Sequence, residues 1–203
     1  VPTRSSLKSE TQVSGLKFQV SKGGTMKTTK RIVLGVSGSI AAYKAAELVR
    51  LMTGKGWDVW VMMTEAATKY VGPLTFLALT RHPVPVGRAE ATPTEAFQHL
   101  DLSSADAIVI APCTANVIAK MAHGLADDIV SASVLASASP IIVAPAMNEK
   151  MWLNPATQDN VKTLKKRGIK VLDTEKGELA CGVVGAGRLC SLEKIVKAVE
   201  KVL

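Results

Sequence analysis

The chain has 203 residues, 47% of them hydrophobic and 21% charged, with a net charge of +8. That composition fits one globular domain with a sizeable core and excludes a low-hydrophobicity disordered chain. No apolar run reaches membrane-spanning length, and the three cysteines (Cys113, Cys181, Cys190) have neither zinc-site spacing nor the even count of a disulfide framework.

Val1–Thr25 is rich in Ser, Thr, Lys and Gly and carries Arg4, Lys8, Lys17 and Lys22 against Glu10 alone. It shows little periodicity and reads as a disordered extension or tag, outside a folded domain spanning 26–203. The remaining positive charge is spread thinly, without a basic run or interleaved aromatics, which argues against nucleic acid and leaves room for an anionic small ligand. Reduced cysteines point to the cytoplasm.

From Lys30 onward, short β-branched runs alternate with helical stretches. Strands are predicted at Arg31–Gly35, Asp58–Met63, Pro83–Val86, Ala107–Ala111, Pro140–Ala144 and Ile169–Leu172. Several are apolar throughout, as expected of strands covered on both faces. Helices are predicted near Ile40–Gly54, Pro73–Thr80, Thr114–Ala122, Asp127–Ser137, Pro155–Arg167 and Leu192–Leu203. Pro155 suits a first helical position and Gly168 a helix end. The alternation predicts a single-domain α/β fold, a Rossmann-like doubly wound parallel sheet of about six strands in three α/β/α layers.

In such sheets ligands bind beyond the carboxyl ends of the strands, so the loops there are the candidates for chemistry. After the first strand, Gly35-Val36-Ser37-Gly38-Ser39-Ile40 combines glycine, a hydroxyl and a following helix N-terminus, a suitable cradle for phosphate. It matches neither the dinucleotide fingerprint nor the Walker loop. After the second strand comes Thr64, with Glu65 one position later; a hydroxyl there suits a mononucleotide phosphate better than a dinucleotide ribose. Ala111-Pro112-Cys113-Thr114-Ala115-Asn116-Val117 presents a hydroxyl, an amide and another helix N-terminus, although Thr114 or Asn116 alone also reads as a helix cap. Asp127-Asp128 is a poor metal pair, since neighbours on a helix diverge; capping by Asp127 is the better reading.

The run Ile141-Ile142-Val143-Ala144 empties into Pro145-Ala146-Met147-Asn148-Glu149-Lys150-Met151-Trp152. By itself Asn148 serves equally as a ligand amide or an N-cap. The segment from Lys176 to Leu189 sets four glycines and Arg188 around Cys181, the composition of a mobile flap whose thiol can exchange a proton with a substrate. Cys190 reads as structural. His99 is the one histidine in a setting that allows acid/base work, against the commoner surface or capping role.

Five segments resemble the FMN-dependent cysteine decarboxylase family: Gly38–Lys44, His99, Ala111–Asn116, Pro145–Trp152 and Ala180–Arg188, in the family's order. The resemblance covers Lys27–Leu203, and the Asn148 motif and the cysteine flap are its specific parts. Most similar is the branch that decarboxylates phosphopantothenoylcysteine, a small-molecule substrate, during coenzyme A synthesis. The resemblance implies FMN held by Gly38, Ser39, Ile40, Thr64, Thr114, Ala115, Asn116, Val117 and Ala146. It implies His99 and Cys181 as catalytic residues, Asn148 and Met151 as substrate ligands, and a homotrimer with flavin between subunits. Arg188 or Lys176 is a candidate for the substrate phosphate. Cys113 stands where many relatives carry Ala or Ser. The rivals are a peptidyl-cysteine decarboxylase, against which Cys181 argues, a flavin prenyltransferase, a non-catalytic flavin-binding regulator and a nicotinamide dehydrogenase.

Overall fold

The computed structural model describes residues 29–88, 102–178 and 184–203. Five strands, β1 (Arg31–Val36), β2 (Asp58–Met63), β3 (Ala107–Cys113), β4 (Ile141–Pro145) and β5 (Lys170–Val171), form one parallel sheet in the order β2-β1-β3-β4-β5. Every pairing in it is parallel. A sixth predicted strand, Pro83–Val86, survives as a single parallel bridge between Val86 and Met63. Pro83 and Pro85 have no N–H to donate, so the segment cannot sustain a ladder. It contributes instead one carbonyl and one amide: Met63 N donates to Pro85 O at 2.9 Å and Gly87 N donates to Met63 O at 2.9 Å.

Helices α1 (Lys44–Gly54), α2 (Pro73–Thr80), α3 (Ala115–His123), α4 (Ile129–Ala136), α5 (Glu149–Leu153), α6 (Pro155–Lys166) and α7 (Leu192–Glu200) follow the predicted alternation, with α5 added. The period of two along each strand sorts the core into two layers. Ile32, Leu34 and Val36 of β1 face a cluster with Leu48, Met52, Phe76, Ile195 and Val199. Val33, Met62, Ile108 and Ile110 face a second cluster with Ile118, Ile129, Val130 and Leu164. The result is the predicted three-layer α/β/α sandwich. Burying each such aliphatic side chain is worth about 1.5–3 kcal/mol, so the two layers dominate stability.

Gly35 marks how tightly the second layer packs. A Cβ there would lie 2.6 Å from Ile110 Cδ1 and 3.2 Å from Val130 Cγ1, so glycine is what lets α4 approach the sheet. The segment predicted as a flap is, in its described parts, an antiparallel ribbon of β6 (Glu175–Glu178) and β7 (Val184–Arg188). Val1–Thr25 lies outside the described residues, as do His99 and Cys181.

Candidate functional site

The strand order changes direction at β1, whose two neighbours are β2 and β3. Crossovers leave β1 toward opposite edges, opening a crevice above the carboxyl ends of β1 and β3. Ser37, buried just past β1, spans it: Ser37 Oγ donates to Pro112 O at 2.7 Å and accepts from Thr114 N at 3.0 Å. This hydroxyl fixes the spacing between the β1 loop and the start of α3. Sequence reasoning missed it, because nothing local distinguishes Ser37 from a solvated loop serine.

Each strand end then delivers a cap. Ser39 Oγ accepts from Ala41 N at 3.3 Å and starts a 3-10 turn over Ile40–Tyr43. Thr64 Oγ1 accepts from Ala67 N at 3.3 Å and starts another over Glu65–Lys69. Thr114 Oγ1 accepts from Val117 N at 3.4 Å and caps α3. Asn148 Oδ1 accepts from Lys150 N at 2.8 Å and caps α5. The capping readings therefore hold for Thr114 and Asn148, and Ser39 and Thr64, read from sequence as ligand contacts, cap as well. A hydroxyl oxygen that caps a backbone N–H keeps its O–H as a donor, so the two roles are compatible.

The crevice is a cavity of about 610 Å³ whose wall includes Gly38, Thr64, Thr114, Asn116, Val117 and Met151. Six of the residues expected from sequence thus meet in one space, drawn from the segments that follow β1, β2, β3 and β4. Its volume lies in the range of small-molecule cofactor sites. Gly38 is required there for a second reason: a Cβ would lie 2.6 Å from Ala66 Cβ, so only glycine lets the β1 loop settle against the turn after β2. Ser39, Ile40 and Ala115 flank these wall residues. Ala146 is buried, its N–H donating to Cys113 O at 2.9 Å, and is not part of the cavity wall.

Lys120 reaches the same cavity and pairs with Asp127 at 2.6 Å and Asp128 at 2.7 Å. Burial alone pushes its ammonium pKa down, but the hydrogen bonds and charges of Asp127 and Asp128 outweigh that and raise it. The bond from Lys120 in turn holds Asp127 below the usual carboxylate range. The helix cap falls on Asp128 and not on Asp127 as expected: Asp128 Oδ1 accepts from Ser131 N at 2.9 Å, and Ser131 Oγ reciprocates. Both aspartates pair with Lys120, so ion pairing and capping coexist at Asp128. No metal-binding cluster of His, Cys, Asp or Glu occurs among the described residues.

The Asn148 loop and the ribbon are joined through Glu149. Its Oε1 accepts from Ala186 N at 2.9 Å, and a Cβ on Gly185 would lie 2.5 Å from its Cδ. Met147 N donates to Gly187 O at 2.9 Å, and Gly187, at φ +111°, leaves room for Met147 O. The glycines of β7 therefore seat a strand on the loop, a role that composition alone assigned to mobility. Arg188 lies at the end of this strand, folded over Gly177, and is not part of the cavity wall. Cys113 is fully buried, and burial drives its thiol pKa far up; Cys190 is pushed up to about 11, chiefly by burial, consistent with a structural role.

Comparison with known proteins places these features in a family. Residues 20–203 match the family model described as Flavoprotein. A probable phosphopantothenoylcysteine decarboxylase of Streptococcus mutans is 44% identical over 178 residues, covering 86% of this chain and 99% of that protein. The coenzyme A biosynthesis bifunctional protein CoaBC of Bacillus subtilis is 43% identical over 177 residues, which is 87% of this chain; the chain spans only 44% of that protein's length. Among solved structures, a cysteine-to-serine mutant of PPC decarboxylase complexed with pantothenoylaminoethenethiol superposes with a TM-score of 0.76 at 29% identity, covering 86% of this chain and 98% of that one.

Proposed function

Because the chain belongs to the Flavoprotein family, we propose that it decarboxylates 4′-phosphopantothenoylcysteine to 4′-phosphopantetheine with FMN as cofactor. The observation that carries this reading is the cavity at the β1/β3 switch point, where Gly38, Thr64, Thr114 and Asn116 share a wall with Met151 of the Asn148 motif. The donor set fits FMN: the two capping hydroxyls of Thr64 and Thr114, the amide of Asn116 and the N-terminus of the nine-residue helix α3.

When bound, FMN supplies the hydride acceptor that oxidises the carbon bearing sulfur and later returns the hydride. The chain's own residues do the rest. Gly38, Ser39, Ile40 and Thr64 hold the phosphate and ribityl groups, while Thr114, Ala115, Asn116, Val117 and Ala146 hold the ring system. Asn148 orients the substrate carboxylate, with Met151 packing beside it. His99 takes the thiol proton as the substrate becomes a thioaldehyde. That group accepts the electron pair of the breaking C–C bond, so CO2 leaves and an enethiolate remains. Cys181 then delivers the proton that completes the saturated thiol. Net, one proton is consumed and one CO2 released, with no change in oxidation state.

The assembly proposed is a homotrimer. Helix α2 is apolar on every side yet buries only Phe76, leaving Leu74 at 73% exposure with Leu77, Tyr70, Tyr43 and Ile40 also exposed. Apolar exposure on that scale marks an association surface. The test of the function is turnover of 4′-phosphopantothenoylcysteine by the flavin-loaded protein, read as CO2 and product mass; the test of the assembly is its mass in solution, expected at three chains.

A further inference from the structure

One cation of the cavity wall is left without a role by that reading. Arg88 lines the cavity, follows directly on Gly87 and is exposed. Among the described residues it enters no ion pair, whereas the wall's other cation, Lys120, is held by two carboxylates. We propose that Arg88 is the phosphate-binding cation of this cavity, gripping the phosphate monoester of the cofactor; the inference rests on the flavoenzyme reading above.

Three observations place it. First, the residue before it is anchored through both its N–H and its carbonyl. Gly87 N donates to Met63 O at 2.9 Å, and Gly87 O accepts from Ile129 N at 2.7 Å, tying the segment to β2 and to the start of α4. Gly87 itself has φ +64°, a left-handed conformation that sets the direction in which the chain leaves toward Arg88. Second, the anchor lies at the phosphate-loop end. A Cβ on Gly87 would be 3.5 Å from Glu65 Cβ, and Glu65 precedes Ala66, against which Gly38 packs. Gly38, the turn after β2 and Gly87 are thus consecutive neighbours along one rim. Third, the other cation of the wall is already engaged. Glu65, Asp127 and Asp128 all line the cavity, and Lys120 is already shared between the two aspartates. Arg88 is thus the wall cation that no carboxylate engages among the described residues. A guanidinium offers the fork that phosphate accepts in two parallel hydrogen bonds.

The experiment is a flavin titration of the full chain stripped of flavin, followed by fluorescence quenching, with FMN and with riboflavin as probes. Wild type is compared with Arg88→Gln, Arg88→Lys and, as a charge-matched control on exposed α6, Lys166→Gln. Loss of one charge-assisted bidentate contact weakens FMN roughly ten- to a hundredfold. Riboflavin, lacking phosphate, should change less than twofold; Arg88→Lys should recover part of the loss, and Lys166→Gln should match wild type. Equal weakening of both flavins by Arg88→Gln overturns the proposal, since that reports structure rather than phosphate. Unchanged FMN affinity also overturns the cofactor assignment. If KM for phosphopantothenoylcysteine then rises while that for its dephosphorylated analogue does not, the phosphate gripped is the substrate's. Wild-type protein that binds neither flavin overturns the flavoenzyme reading itself.

Discussion

The two edges of the parallel sheet use similar residues to opposite ends. At the amino edge, Asp58 Oδ1 pairs with His82 Nε2 at 2.7 Å, and its Oδ2 accepts from Trp60 Nε1 at 2.9 Å. The Trp60 and His82 rings stack at 4.0 Å, Arg31 lies over Trp60 at 5.1 Å, and Lys30 pairs with Asp106 at 2.8 Å. Polar groups there satisfy one another and close the edge. At the carboxyl edge, Ser39, Thr64, Thr114 and Asn148 each cap a turn or helix through a backbone amide, and Thr64 and Thr114 also line the cavity. The capping side chains at the carboxyl edge serve the backbone, whereas Asp58, Trp60 and His82 at the amino edge serve one another.

That contrast breaks first at the chemistry. Asn148→Ala should lower the rate of CO2 release on the order of a hundredfold or more, the scale of losing one positioned donor to a reacting charged group. Its melting temperature should fall only by what one lost cap implies, about 1 kcal/mol. Collapse of the fold with the activity would make Asn148 a structural residue. Cys181→Ser should still release CO2 but accumulate a product two hydrogens lighter; normal phosphopantetheine from that variant would remove Cys181 from the reduction.

Stability substitutions come next. Gly187→Ala should destabilise by about 2–3 kcal/mol or more, since its Cβ would meet Met147 O at 2.4 Å from a φ of +111°. Denaturant unfolding checks this, and an unchanged midpoint would show that β7 does not need its seat on the Asn148 loop.

The amino edge should respond to pH and leave catalysis alone. Burial pushes the Asp58 carboxyl up, but the hydrogen bonds from Trp60 and His82 and the charges of His82 and Arg31 outweigh it and hold its pKa below the ordinary 3.8. A depressed carboxylate stabilises the fold above its unfolded-state pKa, and that stability is lost as pH falls through the folded-state value. Asp58→Asn should therefore flatten the acid limb of a melting-temperature profile below about pH 4 while FMN affinity and turnover stay at wild-type levels. A catalytic defect in this variant would show that the two edges are coupled. The smallest effect is expected from Lys162→Ala, whose pair with Asp159 is exposed at 76% and 69% and is worth less than about 0.5 kcal/mol.

How much of this was legible in the sequence follows the range of the physics involved. Apolar β-branched runs bounded by turn residues located β1 to β4 within a residue or two, because burial on both faces writes itself into consecutive positions. Pro83–Val86 read as a strand from its valines, but its prolines limit it to one bridge. The predicted Ile169–Leu172 shortened to Lys170–Val171 at the sheet edge, where only one neighbour supports it. The ribbon β6–β7 was hidden because four glycines signal freedom locally, and only Glu149 and Met147, distant in sequence, reveal what they make room for. Six site residues met in the cavity because each lies within a few residues of a strand's carboxyl end or of the helix start that follows it. Ser37, Lys120 and Arg88 were missed because their meaning lies in partners or walls that tertiary packing supplies. No helix among the described residues is long and apolar enough to cross a membrane, in line with the hydropathy of the sequence.

The measurement that bears most directly on the central claim is incubation of the flavin-loaded protein with 4′-phosphopantothenoylcysteine, following CO2 and product mass together. The account predicts stoichiometric CO2 and the mass of 4′-phosphopantetheine. A flavin-loaded protein that releases no CO2 from this substrate would contradict it.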